Sequence, residues 1–571
     1  MIAAGGSDMS APLTAGITKR RFLHLVALSA AASAVAACGP AAAPASPPAA
    51  PTPAQAAKPA APAQTTPVAP AQATPAQAAV SPAKKGGTFT YAEAGDFNNF
   101  NPWNFSAVNF EMYDQVFSRL LWKDGTGKAN PDLAESWQLA PDNLSISLKL
   151  RTGLKWHDGK AVTSQDFVDM FGYTSDPALA ADPSVMKIKG IMGPVKDVTA
   201  PDPSTVQVSF AAPVPYITDI LDYWFLIRIE DKTDPQFVKK LPVGTGPFKM
   251  AEWVPQQYAR FSKFADYWSK DLPTLDEFLF KRLSQAETLL PNFKSGSLDG
   301  VLLTSFSDVA PLQADTNYGV DVNDNAGSIF NMMVNTAKPP LDKMEVRQAL
   351  SYALNRVDLV KTAFFGVAKP ITTTFYSPAS LGYREDLVMA HPFDLAMARK
   401  LLDSAGVKNL DITLVVTPAW PQMKLWGLVW QQDLAKINVN LKLNEVENAK
   451  FYDIGAAKDF QDNDLVAWLN GRTTRDPAIF WSTQGNYRAN SQNPRGFVDA
   501  DLEKLVAAGA IETDVEQRRS IYQQLNQRAI DQSHVIPVAT NPRIFAYRNA
   551  IQGVSVDLNG NLFLANASNN K

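Results

Sequence analysis

PDLAESWQLAPDNLSISLKLRTGLKWHDGKAVTSQDFV, residues 131–168, decides how the chain is read. Leu144, Ile146, Leu148 and Leu150 alternate with Ser145, Ser147, Lys149 and Arg151, the period of a strand with one buried face. Asp142-Asn143 ahead of that run and Asp158-Gly159 behind it are turn formers. Thr163 or Ser164 can cap a helix bearing Phe167, Val168 and Phe171. The stretch therefore predicts strand, turn, strand, turn, helix.

LAESW, a strand ending in LKLR, then GLKWHDGKAVTSQDFV resembles the signature of family 5 bacterial extracellular solute-binding proteins. These are the oligopeptide-, dipeptide- and nickel-binding receptors of ABC importers. Further blocks follow in family order. Gly86-Gly87-Thr88-Phe89 opens the folded region as a strand, with Asn98, Asn99, Asn101 and Trp103 in a polar, aromatic loop after it. Tyr113 to Trp122 reads as a helix, and Val206, Val208 and Phe210 alternate as a strand. Pro242 to Phe248, PVGTGPF, resembles the family's Gly-Thr-Gly-Pro-Tyr segment with Phe248 in place of Tyr. Asp342 to Gly366 carries Val346, Ala349, Leu350, Ala353, Leu354 and Val357 on one helical face, and VRQAL and ALNR match the opening of the family's third lobe. There Arg347 reads as structural. Asp394 to Gly406 predicts a short helix, and Ile412 with Leu414, then Val439, Leu441 and Leu443, predict strands around a helix carrying Trp426 and Trp430 as core. A strand from Val535 to Val538 runs back toward the first lobe.

The resemblance implies an α/β fold of the periplasmic binding protein type II kind: two main lobes joined by a hinge, plus the extra lobe of the peptide-binding class. It implies lobe I at 86–128, 243–325 and 535–571, lobe II at 129–242 and lobe III at 326–534.

Residues ahead of that fold read as an address and an anchor. Lys19, Arg20 and Arg21 precede an apolar run from Phe22 to Val35, so 1–37 has the form of a signal peptide. Val35-Ala36-Ala37-Cys38 resembles a bacterial lipobox, which makes Cys38 the lipidation site. Residues 38–85 are an Ala/Pro-rich tether without a periodic apolar face. The expected location is the outer face of the bacterial cytoplasmic membrane or the periplasm, with the chain held by lipid.

Composition limits the function. Net charge is −3, and residues 1–37 contribute +2 of it, which leaves −5 on a chain starting at Cys38; that is no basis for nucleic acid as a partner. Cys38 is the sole cysteine, which excludes an internal disulfide and a cysteine-clustered metal site. Beyond residue 37 the histidines are His157, His391 and His534, each isolated, and neither Gly-x-Ser-x-Gly nor His-Glu-x-x-His is present. The expectation is a binding protein with no catalytic residues, no resident metal and no cofactor, monomeric, with ABC permease subunits as its partners. A glycosidase, a signalling receptor and a chaperone are the rival readings.

The resemblance also points to the ligand region, WLNGRTTRDPAIFW, Trp468 to Trp481. In peptide-binding relatives an aspartate soon after the Trp pairs with the peptide's α-amino group, and an acid followed by Pro comes later. Asp476-Pro477 matches the second element. The first falls at Gly471 counted from Trp468, or at Thr473 counted from Asp476, and neither is acidic. Arg472 and Arg475 stand there instead, which favours a ligand without a free amine, such as an oligosaccharide or an anionic solute. Candidate ligand residues are Asn101, Trp103, Trp468, Arg472, Arg475, Asp476 and Trp481. Peptide, the family's commonest ligand, remains the first choice and oligosaccharide the alternative.

Overall fold

The computed structural model describes residues 85–94, 100–104, 110–193, 195–230, 241–324, 327–455, 460–471, 475–483, 485–558 and 560–570. The signal segment, Cys38, the tether up to residue 84, Asn98, Asn99 and Arg472 lie outside them. Ala78–Lys571 form one compact unit. Among the described residues no helix is long and apolar enough to cross a membrane.

The opening stretch folds much as its pattern dictates. Ala134–Leu139 and Ser145–Leu150 pair antiparallel around a turn at Asn143, whose φ is +55°. Ile146, Leu148 and Leu150 are buried, but Leu144 is 38% exposed. Its backbone N–H donates to Asp142 Oδ1 at 2.9 Å, so Leu144 still belongs to the turn and the covered part of the strand starts one residue later. The helix follows at Ser164–Ser175, where Thr163 N–H donates to the Asp166 carboxylate at 2.7 Å, so an Asp completes the N-terminal box in place of Glu. Val195–Asp202 and Thr205–Phe210 complete a four-stranded antiparallel sheet.

Two larger sheets frame the rest. Seven strands run in the order 318–323, 543–548, 300–303, 88–93, 277–282, 258–263, 248–254. Phe89 and Tyr91 on one face of Thr88–Glu93 join the core shared with the four-stranded sheet, and Ala92 on the other face joins a second core. Five strands run 439–445, 410–416, 465–470, 329–334, 535–540, with helix Pro421–Ala435 as the crossover between the first two. Trp426 and Trp430 on that helix are fully buried, as their spacing predicts.

The chain passes between these sheets twice, from Asn323 to Ile329 and from Thr540 to Arg543. Val535–Thr540 pairs with Ile329–Val334, so this strand belongs to the five-stranded sheet and the second passage falls at 541–542 rather than at 535. Asp324 ties the two passages together: its carboxylate accepts from Thr540 Oγ1 at 3.1 Å and pairs with Lys369 Nζ at 2.7 Å.

Two elements differ from their sequence reading, each for a stated reason. The Asp342–Gly366 stretch forms two helices, Met344–Tyr352 and Arg356–Ala363, because the Asn355 side chain accepts from Asp358 N–H and starts a new helix. Val357 therefore turns outward and is 46% exposed. Arg347 is structural as expected, donating to the carbonyls of Gln532, Leu341 and Asp342. The helix read at Tyr113–Trp122 is Phe110–Val116 instead, followed by strand Leu121–Lys123. The Gly-Thr-Gly segment stops it: Gly246 N–H donates to Val116 O at 2.8 Å and Ser118 N–H to Thr245 Oγ1 at 3.2 Å.

Candidate functional site

Between the sheets lies a buried band of charge. Asp219 and Asp222 stand three residues apart on and just after helix Ile217–Leu221, facing the same way because that spacing is nearly one helical turn. Asp222 Oδ1 accepts from Lys123 N–H at 2.8 Å and from Arg119 NH1 at 3.0 Å. Asp219 pairs with Lys123 Nζ at 2.7 Å, and Arg119 also pairs with Asp114. Arg475 reaches this group from the five-stranded side: NH1 pairs with Asp222 Oδ2 and lies 3.5 Å from Asp219 Oδ1. Its guanidinium sits over the Tyr223 ring, 4.5 Å from the centroid.

A second cluster adjoins the first on the seven-stranded side. Arg543 opens the strand after the second passage and pairs with Glu111 of helix Phe110–Val116. Tyr91 Oη donates to Glu93 Oε1 at 2.9 Å. Burial pushes Glu93 up to about 7 even though Arg543 and Tyr91 pull it down. Burial likewise pushes Glu111 and Asp114 well above the carboxylate range, against Arg543 and Arg119 respectively. Asp219 behaves otherwise: burial raises it, but Lys123 and Arg475 outweigh burial and hold it below its ordinary value. The band thus holds more acid than base, and its charge is balanced partly by protons.

Glu93 gives a direct reading of this. Its folded pKa lies above the ordinary 4.5, so its contribution to stability is fully present below that value and is lost as pH rises toward about 7. An infrared band of a protonated carboxyl is expected to disappear with a midpoint near 7, and Glu93→Gln is expected to remove that titration. A carboxyl region silent around neutral pH would contradict the assignment.

The sequence-derived candidates fall into four separate places. Trp103 is fully buried, its N–H accepted by Asn101 Oδ1 at 3.1 Å as its Nε1–H donates to Phe225 O at 3.4 Å, so both residues shape the core under the four-stranded sheet. Trp468 is half-buried and stacks on Phe451 with centroids 5.3 Å apart. Arg475 and Asp476 are neighbours that face opposite ways. Arg475 crosses to Asp219 and Asp222, while Asp476 turns into its own lobe, bonded to Arg518 NH2 at 2.5 Å and to Tyr522 Oη at 3.0 Å. Trp481 packs against Phe480 and Tyr487, and among the described residues its indole N–H has no hydrogen-bond partner. Sequence reasoning missed Glu93, Glu111, Asp114, Arg119, Asp219, Asp222 and Arg543. One signal was present: Asp219 and Asp222 sit at helical spacing inside the otherwise apolar YITDILDYW.

This arrangement has known counterparts. The model for bacterial extracellular solute-binding proteins, family 5 Middle, matches residues 128–491. This chain belongs to that family. The receptor is 25% identical over 514 residues to the dipeptide-binding protein of Escherichia coli K12, covering 84% of this chain and 94% of that one. It is 26% identical over 486 residues to heme-binding protein A of Haemophilus influenzae, covering 78% and 87%. Among solved structures, the dipeptide-binding protein of Pseudoalteromonas sp. SM9913 in complex with Met-Leu superposes with a TM-score of 0.73 at 22% identity, covering 85% of the receptor and 100% of that chain. The fold is therefore the periplasmic binding protein fold of two lobes, in its family 5 form.

Proposed function

We propose that this protein captures a peptide between the lobe of the five-stranded sheet and the rest of the molecule, and delivers it to an ABC import permease, without breaking a bond. The observation that carries the reading is the pair of chain passages at 323–329 and 540–543 beside a buried, charged interface, the arrangement of a hinge with two faces that can part. A ligand that binds the closed arrangement better than the open one shifts the balance toward closure, and closure is the signal a permease can read. Relatives named for dipeptide and glutathione support peptide as the ligand. Lobe I then comprises 86–128, 243–325 and 541–571, lobe II 129–242 and lobe III 326–540. Cys38 holds the chain by lipid at the outer face of the cytoplasmic membrane, and Ala/Pro-rich 38–85 gives it reach.

Native mass spectrometry of the protein purified without denaturation tests the ligand. Adducts spread over many peptide masses are expected. A ladder spaced by sugar units would replace peptide with oligosaccharide.

A further inference from the structure

Arg475 has an unusual set of neighbours for a fully buried cation. Among the described residues, none of its three guanidinium nitrogens finds a hydrogen-bond partner in its own lobe. The groups that hold its charge among the described residues lie on the other side of the interface, Asp222, Asp219 and the Tyr223 ring nearest and Asp557 beyond them. That socket does not depend on Arg475 for its shape. Asp222 Oδ1 is fixed from its own side by Lys123 N–H and Arg119, which leaves Oδ2 aimed at the cleft. Asp219 is fixed by Lys123 Nζ.

The surroundings of the contact point the same way. Helix Pro477–Thr483, which Arg475 leads into, lies against helix Pro183–Met192 of the other side, and its Ile479 is buried in the core shared with the four-stranded sheet. The apolar part of this docking needs no charge. The ion pair adds a term that opening must break and hydration partly restores, so it leaves the two states close in free energy. An ion pair with that balance suits a reversible contact.

We infer that Arg475 is the closure latch of this receptor: a cation carried by the five-stranded lobe that seats, on closing, in a preformed socket of Asp219, Asp222 and Tyr223. This rests on the reading of the chain as a receptor that closes about its hinge. The latch sets the fraction of molecules that are closed, and apparent affinity scales with that fraction whatever the ligand. Arg475 is thus a positioning residue, and its loss weakens all ligands by a common factor.

The test reads opening directly and without ligand. Met186 on helix Pro183–Met192 is 58% exposed, and Lys504 on helix Ala500–Ile511 is exposed on the other side of the cleft. Spin labels on Met186→Cys and Lys504→Cys in a chain beginning at Ala78, which lacks Cys38, report the distance between lobes by electron double resonance. Arg475→Gln is expected to lower the ratio of closed to open molecules about tenfold. Arg475→Lys, which keeps the charge, is expected to retain most of the closed population. Asp222→Asn is expected to open the protein from the other side, and the double variant to open it no further than either single one. A distance distribution unchanged by Arg475→Gln would overturn the latch, as would equal opening by Arg475→Lys or none by Asp222→Asn. Affinities measured on the same variants separate the two readings. A common fold-loss across unlike peptides supports the latch, selective loss overturns it, and opening without any peptide binding leaves the latch standing and removes the peptide.

Discussion

Asp476→Ala is expected to cost about 3–5 kcal/mol of folding stability, because it strands the buried Arg518 guanidinium without a counter-charge. The carboxylate accepts from Arg518 NH2 at 2.5 Å, Tyr522 Oη at 3.0 Å and Ala478 N–H at 3.0 Å, so one side chain holds helix Val515–Gln532 to the start of helix Pro477–Thr483. Burial pushes the Asp476 carboxyl up to about 6, against Arg518, which leaves it ionised at neutral pH. Asp476→Asn keeps the acceptor and loses the charge, so its cost is expected to be smaller; Tyr522→Phe removes the hydrogen bond to Asp476 and the longer one, 3.5 Å, accepted from Arg518 NH2, and is expected to cost about 1 kcal/mol. Urea midpoints at neutral pH measure all three. The order Ala, Asn, then Phe is the expected result. A near-neutral Asp476→Ala accompanied by loss of ligand would instead make Asp476 a binding residue, the role its place before Pro477 first suggested.

That contrast shows what the sequence could and could not convey. Strands such as Ser145–Leu150 and helices such as Leu395–Ser404 rest on periodicity within a dozen residues, and local periodicity is readable without knowing the rest of the chain. Boundaries set by distant segments were not readable. Phe110–Val116 ends where it does because Gly246 and Thr245 occupy its last carbonyl and the following amide. The break at Asn355 was readable in principle, since an asparagine between two apolar faces can start a helix as well as interrupt one. The direction of Arg475 was not. Its socket lies in YITDILDYW, far from Arg475 along the chain, and nothing local to that stretch names a partner for its two acids. Only the packing of helix Pro477–Thr483 onto helix Pro183–Met192 brings those acids under the guanidinium. Aromatic residues misled in the opposite sense. Trp103 looks like a pocket wall by type and by its asparagine-rich setting, yet its indole N–H is taken by Phe225 O inside a core.

Gly244→Ala and Gly246→Ala are expected to cost about 4 kcal/mol or more each, or to prevent folding, since the added methyl has no space and the obstacle is backbone. A Cβ on Gly244 would stand 1.9 Å from Val116 O, and one on Gly246 would stand 2.5 Å from Gln115 O. Neither atom can swing aside as a side chain would, because both belong to helix Phe110–Val116, whose Glu111 and Asp114 carry the charge band. The two glycines thus let one chain segment lie directly on the end of that helix, and this accounts physically for the Gly-Thr-Gly pattern. Gly172 is the matched control. It is exposed on helix Ser164–Ser175, nothing lies within 4 Å of its added Cβ, and alanine there is expected to stabilise by about 1 kcal/mol through its better helix propensity. Thermal unfolding of the three variants side by side measures the difference. Gly246→Ala folding with wild-type stability would mean that the segment can withdraw from Val116, and the end of helix Phe110–Val116 would then have to be held by something other than this contact.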